Sequence, residues 1–121
     1  MKKTIVLGAS TNPARYAYRA IEQLLAKGHE AVPLGIREGT VKGISILPLQ
    51  ESPTIDQVDT ITLYLRPEHQ KHYYDYLLSL KPKRIIFNPG TENPELVQIA
   101  KKAGIEVTIA CTLVLLSIGD Y

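Results

Sequence analysis

The residues whose types and spacing could do chemistry open the chain: Gly8-Ala9-Ser10-Thr11-Asn12, followed by Pro13 and Arg15. Before them, Ile5-Val6-Leu7 is a short apolar run without alternation, the pattern of a parallel strand covered on both faces. Gly8 permits a sharp turn and a close backbone approach. Ser10, Thr11 and Asn12 are good helix caps, and Pro13 suits the first helical position, where no N–H is needed. A strand, a turn and a helix start in that order leave backbone donors and the positive end of a helix dipole facing the space above Gly8, where a phosphate fits. The second and third glycines of G-x-G-x-x-G are Ser10 and Pro13 here, so the motif is incomplete and also matches an ordinary strand-to-helix turn.

Charge narrows the ligand. Arg15, Arg37, Lys42 and Arg66 all fall at or just beyond expected strand ends and would rim a crevice there with positive charge. A domain that holds NAD places a carboxylate at the end of its second strand to bind the ribose hydroxyl. This chain has Leu34-Gly35 there and no carboxylate before Glu38, and Arg37 is nearer. A ligand with a diphosphate and a further ribose phosphate matches that rim better than NAD.

Catalytic readings fare worse. Gly8-Ala9-Ser10-Thr11-Asn12 is one residue away from G-x-S-x-G, and Asp59 with His69 or His72 could complete a triad on paper. The chain is too short for the larger sheet and oxyanion loop such an elbow needs, so Ser10 reads as a cap or a phosphate donor. His69 and His72 share a helix face without an evident third ligand, which favours a solvated face over a metal site. Cys111 reads as a small buried residue at a strand end rather than a reactive thiol. No catalytic or metal-binding set emerges, and the expectation is a binding protein without catalysis of its own.

The elements that must position these residues can be read in order. A helix is expected over 14–27, closed by Gly28, then a strand over 30–34 and a loop over 35–43. A brief edge strand over 44–47 ends at Pro48, and a third main strand over 60–65 is ended by Arg66-Pro67. Pro67 starts a helix through Leu80, with Tyr73, Tyr76, Leu77 and Leu80 inward and the tyrosines divided between core and surface. A strand over 84–87 runs into Asn88-Pro89-Gly90, Thr91 or Asn93 caps a helix over 94–103, and the last strand spans 105–109. Strands alternating with helices imply an α/β, Rossmann-like, doubly wound and mainly parallel sheet with helices on both faces, a single domain over 1–121. If the second and third strands lie on one side of the first and the next on the other, the Gly8 and Arg66-Pro67 turns become neighbours at the reversal, where such sheets bind ligands.

Composition agrees. The chain of 121 residues is 45% hydrophobic and 21% charged, the balance of one globular domain. A net charge of +2 with scattered basic residues argues against nucleic acid. No apolar run approaches the ~20 residues that span a bilayer, so no membrane role and a cytoplasmic location are expected. One cysteine excludes an intrachain disulfide.

Together, Val6-x-Gly8-Ala9-Ser10-x-Asn12-Pro13, Pro33, Gly43, Leu65-Arg66-Pro67, the Pro89-Gly90 turn and Cys111 resemble the small stand-alone CoA-binding proteins. These are Rossmann-like domains similar to the N-terminal CoA-binding domain of the succinyl-CoA synthetase α subunit. The resemblance implies coenzyme A or an acyl-CoA as the small-molecule ligand. By it, Gly8, Ala9, Ser10, Thr11, Asn12 and Arg15 hold the diphosphate and adenosine end. Pro33 and the loop through Arg37 and Lys42 to Gly43 flank the adenine and its ribose phosphate. Leu65, Arg66 and Pro67 line the pantetheine arm, with Pro89 and Gly90 on the far wall. The chain departs from the family's V-N-P-basic sequence at Leu34-Gly35-Ile36-Arg37 and from its Gln-x-Gly turn at Asn88-Pro89-Gly90. An NAD(P)-binding protein is the alternative reading. Another is a structural or regulatory subunit whose apolar tail, Leu113 to Ile118, meets a partner subunit or makes a homo-oligomer.

Overall fold

The computed structural model describes all 121 residues. Three apolar or β-branched stretches form the middle of the sheet: β1 (Lys3–Leu7), β2 (Glu30–Gly35) and β6 (Thr60–Leu63). Outside them lie β5 (Leu47–Pro48) on one side, and β7 (Arg84–Phe87) and β8 (Glu106–Ile109) on the other. The order is β5-β2-β1-β6-β7-β8 and every pair is parallel. The chain goes out from β1 to β2 and β5, then returns to place β6 on the other side of β1, with Leu7 opposite both Leu34 and Leu63. That reversal is the expected one.

Alternate residues of the central strands feed two cores. Ile5, Leu7, Ile61, Leu63, Ile85 and Phe87 meet Leu77 of α3 (Tyr74–Ser79), Leu80 just beyond its end, and Leu96 and Ala100 of α4 (Pro94–Lys102). Val6, Ala31 and Ile86 meet Ala17, Ile21 and Leu24 of α1 (Tyr16–Ala26) and Leu116 of α5 (Thr112–Ile118). Because both faces are covered, the strands read as continuous apolar runs.

Several boundaries differ from the sequence reading. The apolar stretch over 44–47 is divided: Ile44–Ser45, β4, pairs antiparallel with Thr40–Val41, β3, in a separate hairpin, and Leu47–Pro48 is the sheet edge. Helix α1 begins at Tyr16 rather than at Pro13, because Asn12 closes its own turn: its Oδ1 accepts from the Ala14 amide at 3.0 Å and its carbonyl from the Arg15 amide at 3.0 Å. Such Asx turns compete with helical bonding. The helix expected from Pro67 to Leu80 is broken into α2 (Pro67–Gln70), a 3₁₀ turn over Lys71–Tyr73, and α3. Asn93 caps α4, accepting from the amides of Glu95 and Leu96 at 3.1 and 3.3 Å, whereas Thr91 closes the preceding turn through the Asn88 carbonyl.

The apolar tail forms α5. Leu116 is buried and Leu113 and Leu115 are partly covered, leaving Val114 and Ile118 exposed. No helix is long and apolar enough to cross a membrane.

Candidate functional site

Four strand ends meet at the reversal. The Gly8 turn follows β1, Gly35-Ile36-Arg37 ends β2, Tyr64-Leu65-Arg66 follows β6, and Pro89-Gly90-Thr91 follows β7. Together with the start of α1 they enclose a crevice of about 710 Å³. Gly8 holds the centre, at φ +97°. A side chain there would begin 3.0 Å from the Tyr64 carbonyl carbon and oxygen, so the first turn lies directly against the Arg66 turn although 58 residues separate them in the chain. Across the cleft, a Cβ on Gly35 would come within 2.9 Å of the Ala9 carbonyl oxygen.

Most of the expected site residues converge here: Gly8, Ala9, Ser10, Thr11, Asn12, Arg15, Arg37, Leu65, Arg66, Pro89 and Gly90 all line the crevice. Three do not. Pro33 lies inside β2 opposite Val6, buried, and pairing with β5 begins only after it, at Leu34. Lys42 sits at the tip of the β3–β4 hairpin and pairs with Glu22 of α1 at 3.2 Å, tying the hairpin to that helix. Pro67 is the first residue of α2, where its fixed φ starts the helix, with Arg66 as the cap. Conversely, Tyr16, Ile36, Ile46, Leu49 and Tyr64 line the crevice without having been singled out from sequence, and Glu38 and Thr91 line it without having been assigned to the site. Tyr16 and Ile36 carry a visible sign in their exposure, 65% and 55%, high for large apolar side chains.

The arrangement of donors differs from the simple reading of bare amides after Gly8. The Gly8 and Ala9 amides both donate to the Leu34 carbonyl, at 2.8 and 3.2 Å, and the Asn12 amide donates to Ser10 Oγ at 3.1 Å. The first two brace the turn against β2, and the third closes the turn on itself. The Ser10 and Thr11 amides, and those of Tyr16, Ala17 and Tyr18 in the first turn of α1, have no acceptor within the chain. Unpaired donors at a helix start, with the dipole behind them, present partial positive charge to the crevice. The Arg15, Arg37 and Arg66 side chains are exposed and none has a carboxylate within 4.0 Å, since the ion pairs of the molecule are Lys3–Glu30 and Lys42–Glu22. Glu38 is the one acidic residue among the lining groups.

Behind the crevice, Asn88 joins β6, β7 and α5: its amide donates to Thr62 Oγ1 at 2.6 Å and the Leu63 carbonyl at 2.8 Å, and its Oδ1 accepts from the Thr112 amide at 2.8 Å. Burial pushes the Tyr64 phenol well above its usual pKa, and the proximity of Cys111 adds to that. Cys111 is half-buried at the cap position of α5. Asp59, at the start of β6, lies at the opposite end of the sheet from Ser10, so no serine triad assembles, and His69 and His72 are exposed. No three His, Cys, Asp or Glu side chains converge.

An open parallel sheet with a glycine turn, free amides and arginines at its reversal defines a Rossmann-like ligand-binding domain. Within that class the chain belongs to the CoA-binding domain family, whose profile matches residues 2–117. A crystal structure of an uncharacterized protein is 54% identical over 100% of this chain and 98% of its own, with a TM-score of 0.97. A conserved hypothetical protein from Pyrococcus furiosus is 27% identical, covering 89% of this chain and 92% of its own at a TM-score of 0.77. The acetyl-coenzyme A synthetase 1 of Ca. Korarchaeum cryptofilum, solved with phosphate and ADP, shares the fold at 22% identity and a TM-score of 0.71; the match covers 88% of this chain and 25% of the synthetase. No curated protein matches.

Proposed function

We propose that the protein binds coenzyme A or an acyl-CoA in the crevice between the Gly8 and Arg66 turns and has no catalytic activity of its own. The observation that carries this reading is the convergence of three exposed arginines without carboxylate partners on amides that lack an acceptor. The diphosphate would lie over Ser10 and Thr11 and the start of α1, within reach of Arg15. Arg37, just past β2, suits the ribose phosphate that distinguishes CoA from its dephospho form. Leu65 and Arg66 on one side, and Pro89, Gly90 and Thr91 on the other, would flank the pantetheine arm. Tyr16 and Ile36 give the rim apolar surface on which a base could rest. Together these residues fit a ligand with a polyanionic head and a long, mostly uncharged arm.

Thermal unfolding with added ligand tests the reading. CoA is expected to raise Tm more than dephospho-CoA, NAD or NADP at equal concentration, because only CoA engages the whole rim and arm. Arg66→Ala is expected to remove most of that response. Equal shifts from CoA and dephospho-CoA, or an unchanged response in Arg66→Ala, would sink the assignment of this crevice.

A further inference from the structure

We propose that Gln70, which is not among the residues lining the crevice, is the positioning residue that sets the gap between the two walls of its arm-binding end. This rests on the CoA reading above. Gln70 is 0% exposed. Its Nε2 donates to the Leu65 carbonyl at 2.7 Å and to the Thr91 carbonyl at 2.9 Å, and both of those residues line the crevice, one on each side. Its Oε1 accepts from Asn93 Nδ2 at 2.9 Å. The second Asn93 hydrogen goes to the Tyr74 hydroxyl at 2.8 Å, and that hydroxyl donates to Glu95 at 2.9 Å. Every amide hydrogen is committed, which fixes both side-chain orientations.

Nothing else does this work. Beyond the last ladder pair, Leu63 with Phe87, and the Asn88 bond to the Leu63 carbonyl, no other hydrogen bond ties the Leu65-Arg66 turn to the Pro89-Gly90-Thr91 turn. A leucine or methionine would fill the same buried space without the cost of desolvating an amide. What the amide adds is a rigid bridge of fixed length, and an extended ligand arm lying between two turns is sensitive to that length.

The test compares CoA with adenosine 3′-phosphate 5′-diphosphate, which is CoA without its pantetheine arm. Gln70→Met keeps length and volume and cannot bridge. By calorimetric titration it is expected to bind CoA about tenfold more weakly, the effect of losing about one good contact, while the fragment changes by less than about twofold. Equal losses for both ligands, or an unchanged CoA affinity, overturn the proposal. Asn93→Ser guards against a variant that does not fold, since serine still caps α4 but releases the Gln70 carbonyl. It should show the same selectivity for the arm in weaker form, and a fragment-to-CoA ratio equal to that of the wild type counts against the bridge. Wild-type protein that ignores both ligands instead overturns the CoA reading itself.

Discussion

A methyl group on Gly8 would meet the Tyr64 carbonyl at 3.0 Å on a backbone already at φ +97°. Two strains act at once, and neither can relax into solvent, because the neighbours are main chain. Gly8→Ala is therefore expected to cost about 1–3 kcal/mol of stability, read from the denaturant midpoint, and to abolish the CoA response by pushing the two turns apart. The same glycine is the most legible residue of the site, since its type states its backbone requirement. Arg15, Arg37 and Arg66 are legible for a similar reason: a guanidinium just past a strand end has few purely structural uses. Gln70 is not. Among Pro67-Glu68-His69-Gln70 it looks like one more polar residue on a helix surface, and only the fold shows it to be 0% exposed. Lys42 differs in the opposite direction, for its side chain pairs with Glu22, a residue on another element that no local pattern pairs with it.

The β3–β4 hairpin stands beside the crevice, and none of its residues lines it. Two residues in each strand cannot hold themselves together. Val41 anchors the hairpin in the core beside α1, and Lys42 reaches Glu22 on that helix. Lys42→Ala should thus leave the CoA-induced Tm shift intact and lower stability by less than about 1 kcal/mol, whereas Arg37→Ala should reduce the shift; a reversed pattern would return Lys42 to the ligand. The broken helix after Arg66 makes a related point. Apolar spacing over 67–80 suggests one helix, but Gln70 is held inward by the Leu65 and Thr91 carbonyls, and the chain passes through a 3₁₀ turn before α3 resumes. Helical periodicity reports which face is apolar, and it is blind to a polar side chain drawn inward by carbonyls from distant turns.

At the other end of the sheet from the crevice, His29 makes stability depend on pH. Its Nδ1 accepts from the Lys2 amide at 2.9 Å, which requires that nitrogen to be unprotonated. Burial lowers its pKa below 6.5, and the positive amino terminus, Lys2 and Arg84 lower it further, Asp59 opposing them weakly. The unfolded chain thus takes up the proton first. The contribution is complete above about pH 6.5 and is lost as pH falls toward the folded value. Denaturant midpoints measured between pH 7.5 and 5 should decline, and His29→Asn should flatten the part of that slope belonging to this group. The overall architecture is readable because alternation of strand and helix constrains it, and so is the reversal. Pro33 falls outside the crevice lining because its position relative to the strand end depends on where β2 stops, and that is fixed by pairing with β5 rather than by local composition. The strand order has a kinetic side as well. The strand made first, β1, ends at the middle of the sheet, and its second neighbour, β6, arrives more than fifty residues later. Until Thr60–Leu63 emerges, a nascent chain keeps one flank of Thr4–Leu7 unpaired, so folding waits on a distant contact and must bear its loop-closure entropy before any reward. The topology that brings two far-apart turns together above Gly8 thus also makes the central strand complete its pairing late.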